Sequence, residues 1–238
     1  MPAMARPSVI AHRGASGYEY ENSLAAFRRA VMLDADGVEL DVHVTRDGAI
    51  VVHHDREIAG LGPICLAEFR DLRRHRLANG EPVPLLSEVL DQMGDRDVWV
   101  EIKALDSEWD QALLKTLHAG PAAHRYAVHS FEHGVIGRLG GVRPDLRRGV
   151  LLAEAIPDPI GAMKAVGADT LWAERRLVDE ALVGKVHTAG GAVIAWTVNE
   201  LSELRRLAQL GVDGLCGNYP DRIRIAIGMS AEGQSPSL

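Results

Sequence analysis

The chain has 238 residues, with 26 basic and 33 acidic side chains and a formal net charge of −7. Its 47% hydrophobic and 25% charged content suits a packed globular protein and excludes a disordered one. The acidic balance disfavours nucleic acid as a partner, because phosphate binding needs clustered Lys and Arg. Along the chain, short β-branched runs alternate with longer segments of helical period. Strands are predicted at 8–12, 37–43, 97–103, 125–130, 148–152, 169–172, 192–197 and 212–216. Helices are predicted at about 22–34, 86–93, 107–119, 132–139, 158–166, 178–189, 200–209 and 220–227. Asn22-Ser23 is read as the cap of the first helix, and Pro220 opens the last. Gly190-Gly191 and Gly211 close the sixth and seventh.

Eight strand–helix units of roughly thirty residues each have the size of βα units. The expected fold class is therefore α/β, a (β/α)8 TIM barrel, in one domain spanning 1–238. One interval, 44–85, is too long for a simple connection and is read as an insertion after the second strand. It holds a turn at Asp47-Gly48, a short strand at 49–53 and a helix at 67–77. The basic run Arg73-Arg74-His75-Arg76 on that helix is read as a solvated face. The last ten residues, from 229, read as a polar tail.

Cys65 and Cys216 are too few and too far apart for a disulfide framework. No run of about 18 apolar residues is present, so no membrane span is expected. The start, MPAMARPSVIAHRG, lacks the apolar region of a signal peptide, which makes the cytoplasm the expected location.

The position of charge carries the functional argument. Barrel strands are buried on both faces and should be apolar. Here the first strand ends His12-Arg13-Gly14, the second holds Glu39 and Asp41, and the third ends Glu101-Ile102-Lys103. Side chains at i and i+2 share a strand face, so each pair points together, toward the end where barrels keep their active sites. The three carboxylates outnumber Arg13 and Lys103 by one. A salt-bridge network is one reading. The other is a hard divalent cation, Mg²⁺ or Ca²⁺, held by oxygen ligands, with Arg13 and Lys103 binding phosphate. His12 at a strand end and His54 beside Asp55 are candidates for general acid and base. His53 alternates to the opposite face, and His43 shares the face of Asp41 and is placed at the rim. The remaining histidines are read mostly as surface residues. Trp196 closes the seventh strand and could floor a pocket. Ser130, beside His129, lacks the surroundings of a nucleophilic serine. Lys103 as a Schiff-base former, and a non-catalytic phosphate binder, are the readings from other classes.

The stretches IAHRGASGYEYENSLAAF (10–27), DGVELDVHVTRDGAIVVHHD (36–55), VPLLSEVL (83–90), VEIK (100–103), AWTVN (195–199) and GVDGLCGNYPD (211–221) occur in this order along the chain. As a set they resemble the glycerophosphodiester phosphodiesterase family, among the phospholipase-C-like barrel phosphodiesterases. The resemblance implies that Glu39, Asp41 and Glu101 ligate one divalent cation. It implies that His12 and His54 form the acid–base pair, and that Arg13 and Lys103 bind phosphate. The implied partner is a small glycerophosphodiester, cleaved through a cyclic phosphate to glycerol 3-phosphate. The sequence departs from the family pattern at Tyr20, which stands where a Pro is usual before Glu-Asn. Further departures are the insertion REIAGLGPICLAEF, Gly217-Asn218, and His129, where a Ser is frequent. They bear on the choice of diester, with a lysophospholipid or a sugar phosphodiester as alternatives.

Overall fold

The computed structural model describes residues 6–229. Among these, eight parallel strands form a sheet that closes on itself. They are β1 (Ser8–His12), β2 (Gly37–Val44), β3 (Asp97–Ile102), β4 (Tyr126–Ser130), β5 (Arg147–Leu152), β6 (Thr170–Glu174), β7 (Ala192–Trp196) and β8 (Gly214–Gly217). Each pairs with its sequence neighbours, and β1 pairs with both β2 and β8, so no edge remains. This is a (β/α)8 barrel, as the strand count predicted. The expected polar tail falls almost wholly outside the described residues.

Two apolar layers hold the barrel together. Outside, Val38, Leu40, Val98 and Val100 pack against Phe27, Leu86 and Leu90 of the helices, a pattern repeated around the ring. Inside, Ile10, Trp99, Ala127, Leu151, Trp172, Ile194 and Cys216 fill the lumen. They lie one layer deeper in the strands than the charged residues. The barrel is therefore plugged below and polar above.

Several boundaries differ from expectation for local reasons. The first helix is Leu24–Met32, and Ser23 alone caps it, its Oγ accepting the Ala26 N–H at 3.1 Å. Residues 107–109 form a 3₁₀ turn before the helix Asp110–Ala119. The insertion is more finely divided than predicted. Its first strand, Ile50–Val52, runs antiparallel to β2. A two-residue hairpin, Glu57–Ile58 with Gly62–Pro63, and a helix Phe69–Arg74 follow. Val51, Ile58, Ile64, Leu72, Leu77 and Val83 give the insertion an apolar core of its own. The basic run is not all solvated face: Arg73 makes a two-pronged bond to Glu88 at 2.8 and 2.7 Å, while Arg74 is 81% exposed.

Candidate active site

The site sits where β1, β2 and β3 end, and strand register assembles it. His12 is paired with Glu39 across β1–β2, and Asp41 with Glu101 across β2–β3. Glu39, Asp41 and Glu101 are all buried, and each offers an oxygen within 4.8 Å of the others. Three buried carboxylates at this spacing repel one another and lose their hydration.

The cations answer this only in part. Lys103 Nζ lies 2.8 Å from Asp41 Oδ1 and 2.6 Å from Glu101 Oε1. Arg13 Nε lies 3.2 Å from Asp41 Oδ2, and its Nη1 donates to Glu21 at 2.8 Å. Burial pushes the Asp41 carboxyl up, but Lys103 and Arg13 outweigh it and hold it at about 2. Glu39 is different. Among the described residues no Lys or Arg side chain pairs with it. It receives the Arg13 backbone N–H at 3.1 Å, with His12 and His129 nitrogens at 4.0 and 3.9 Å. Burial first, then Asp41 and Glu101, drive its carboxyl well above the ordinary range. Glu101 is also raised, by burial and by Asp41. A salt-bridge network therefore accounts for Asp41 and leaves Glu39 unneutralised. A three-oxygen donor set short of positive charge fits a hard divalent cation.

The loop after β1 builds one wall. Arg13 and Gly14 both have positive φ (56° and 76°), and a side chain on Gly14 would meet the Ala26 backbone at 2.6 Å. That tight turn aims the Arg13 amide at Glu39. Asn22, also at positive φ, does not cap the helix as expected. It turns inward, is buried, and donates its Nδ2–H to Asp41 Oδ2 at 2.7 Å. The Asn-Ser pair reads as a capping signal, which hid this role.

His12 Nδ1 meets the Asn218 amide oxygen at 2.9 Å, so Nδ1 carries the proton and Nε2 keeps its lone pair. Burial, then the Arg13 charge, lowers its pKa to about 4, so the ring is neutral. The second histidine segment is tied to the site through the backbone: His53 N–H donates to the Asp41 carbonyl at 3.0 Å. His54 Nδ1 pairs with Asp55 Oδ1 at 2.8 Å, and the side chain is about one-third exposed. That bond, against slight burial, is the main reason Asp55 lies below the usual carboxylate range. His43 is not at the rim. It is buried, and its Nε2 donates to the His54 carbonyl at 3.2 Å, propping the catalytic candidate from below.

The far wall is apolar. Trp196 is half-buried and packs edge-on against exposed Phe131, with ring centroids 5.8 Å apart. Ser130 is a tie: its Oγ donates to the Ile102 carbonyl at 2.6 Å and accepts the Glu132 N–H at 2.9 Å. His129 was missed by the surface reading. It is 1% exposed, points into the lumen, and packs between Trp99, edge-on, and Trp172, tilted, with centroids at 5.7 and 4.2 Å. The signal was available, since i, i+2 alternation in a two-faced buried strand puts Ala127 and His129 inside. Burial lowers its pKa to about 3, and neither ring nitrogen has a hydrogen-bond partner among the described residues. Such an orphaned group costs about 1–3 kcal/mol.

A plugged barrel with a buried carboxylate trio and His12 at the strands' C-terminal end has the layout of a (β/α)8 barrel enzyme. Residues 12–222 match the model of the glycerophosphoryl diester phosphodiesterase family, and the chain belongs to that family. A glycerophosphodiester phosphodiesterase of Caldanaerobacter subterraneus is 32% identical over 231 residues, 90% of this chain and 95% of that one. A glycerophosphodiester phosphodiesterase of Bacillus subtilis is 28% identical, over 89% of this chain and 83% of that one. An Oleispira antarctica phosphodiesterase in complex with the product sn-glycerol-3-phosphate superposes with a TM-score of 0.87. It covers 93% of this chain and 97% of its own, and at 24% identity it speaks for the fold.

Proposed function

We propose that the protein hydrolyses glycerophosphodiesters to glycerol 3-phosphate and an alcohol, with one divalent cation, Mg²⁺ or Ca²⁺, held by Glu39, Asp41 and Glu101. The observation that carries this is the unneutralised Glu39 within a buried carboxylate trio, beside a histidine whose Nε2 is left as an acceptor, with only a long 3.5 Å contact to the Thr197 hydroxyl. When bound, the cation supplies positive charge to the phosphoryl oxygens as negative charge builds on them.

The side chains do the rest. Arg13 and Lys103, anchored by Asp41 and Glu101, bind the phosphate oxygens and orient the diester. His12 Nε2 takes the proton of the glycerol 2-hydroxyl as its oxygen attacks phosphorus. His54, whose ring is oriented by the bond between its Nδ1 and Asp55, gives a proton to the departing alcohol oxygen. The P–O bond to the alcohol breaks and a cyclic phosphate forms. The roles then reverse. Neutral His54 accepts a proton from water, whose oxygen adds to phosphorus. Protonated His12 returns its proton to the 2-oxygen, and glycerol 3-phosphate is released. Trp196 and Phe131 cover the glycerol carbons.

Release of glycerol 3-phosphate from glycerophosphocholine tests this. Chelator-stripped protein should be inactive and regain turnover with Mg²⁺ or Ca²⁺. Turnover unaffected by stripping would overturn the metal reading. A second reading keeps the chemistry and changes the diester to a lysophospholipid. Its support is exposed apolar surface on loops at the strands' C-terminal ends and on the insertion: Tyr20 at 39%, Phe131 at 45% and Leu66 at 66%. A higher kcat/KM for lysophosphatidylcholine than for glycerophosphocholine would select it.

A further inference from the structure

We propose that His129 is a positioning residue for Glu39, holding that carboxylate from beneath through an Nε2–H hydrogen bond. The inference rests on the metal reading above and concerns how the chain presents one of its ligands.

Four observations carry it. First, the place is built for a large ring. Gly149 on β5 faces His129, and a side chain there would come within 3.1 Å of His129 Cβ and 2.9 Å of Trp172. Second, the ring is gripped by Trp99 and Trp172 and cannot turn away to find another partner. Third, Nε2 lies 3.9 Å from Glu39 Oε1, and neither ring nitrogen has a hydrogen-bond partner among the described residues. About 1 Å of closure makes an ordinary hydrogen bond. Fourth, among the described residues Glu39 is the member of the trio with no Lys or Arg of its own. Asp41 has Asn22, Lys103 and Arg13, and Glu101 has Lys103.

His129 is not a fourth ligand, since its nitrogens fall outside the group of mutually close ligand atoms. A filler role alone would be served by any ring. The nitrogen matters because a ligating carboxylate must be both ionised and fixed in orientation, and hydrogen bonds behind it do both. Glu39 receives the Arg13 amide on Oε2, and an N–H on Oε1 would complete the grip.

The test compares His129→Phe, which keeps the ring and loses the donor, with His129→Gln, which keeps a donor. Binding of Mg²⁺ and of Ca²⁺ to each stripped protein is measured by calorimetry. The expectation is a loss of affinity of about 10–100-fold in His129→Phe, with most of it restored in His129→Gln. Wild-type binding with an unchanged His129→Phe overturns the positioning role alone. Wild-type protein that binds neither ion overturns the metal reading, and this inference with it. A measurement without substitution covers the case of a misfolded variant. The ¹⁵N spectrum of histidine-labelled wild type should show His129 protonated at Nε2, and a ring protonated at Nδ1 would refute the bond.

Discussion

The two ends of this barrel carry the same residue types and treat them in opposite ways. At the N-terminal end, Asp34, Asp36, Asp95 and Asp97 meet Arg6, Arg125, Arg147 and Arg224. Arg6 clasps Asp36 at 2.6 and 2.8 Å. Arg125 and Arg147 reach Asp97 at 3.7 and 3.4 Å, and Arg224 reaches Asp34 at 3.5 Å. The acids are matched by cations, with Asp34 and Asp95 exposed and Asp36 and Asp97 partly so. At the C-terminal end, three acids share two cations and are buried. An exposed, paired cluster is worth little and asks for nothing. A buried, under-neutralised one is costly unless something else binds there. Acidic composition does not make a site; burial with a charge deficit does.

The largest break in that comparison should come from Glu39→Gln. Turnover of glycerophosphocholine should fall by at least about a hundredfold, as for loss of a metal-site group. The melting temperature of the metal-stripped protein should hold or rise, because a buried like charge has been removed. Asp36→Asn should leave turnover unchanged.

Metal addition should separate the ends by stability. Stripped protein should gain about 2.7 kcal/mol at an ion concentration one hundred times the dissociation constant, read as a rise in melting temperature. Asp36→Asn should keep that gain, and a Glu39→Gln, Asp41→Asn double variant should lose it.

A comparable effect is expected inside the lumen. Gly149→Ala inserts a methyl against Trp172 and His129 and should cost about 1–3 kcal/mol in a denaturant titration.

Asp36→Asn has a smaller effect of its own. Burial raises the Asp36 carboxyl, but bonds from Arg6 and from the Val9 N–H outweigh it, leaving it below its ordinary value. A depressed carboxyl stabilises above its unfolded pKa, and that contribution fades as pH falls through the folded pKa. The variant should lose about 1 kcal/mol near neutral pH and show a flatter acid limb. Arg74→Ala, on the exposed helix face, should shift stability by less than about 0.5 kcal/mol and leave turnover alone.

Much of the site was readable because its signals are local. Glu39 with Asp41, and Glu101 with Lys103, show as charged i, i+2 pairs in strands that should be apolar. Their convergence needed only the assumption that consecutive parallel strands are neighbours. The missed residues depend on what is not local. Asn22 sits in a dipeptide that equally describes a helix cap, and only the positive φ turns it inward. His43 and His129 obey strand alternation, yet their roles depend on what lies above them: the His54 carbonyl for one, Glu39 for the other.

What the sequence by itself determined is the order of strands and helices, the two faces of each strand, and the set of charged residues at their ends. These follow from periodicity and steric preference over a few residues. What only the tertiary structure decided is closure. It brings Asn218 on the last strand's exit to His12 on the first, 206 residues away, and so sets which imidazole nitrogen carries the proton. It also leaves Glu39 without a cation while Asp41 has two. Charge balance at a buried point is a sum over every group within a few ångströms, and no stretch of the chain contains that sum.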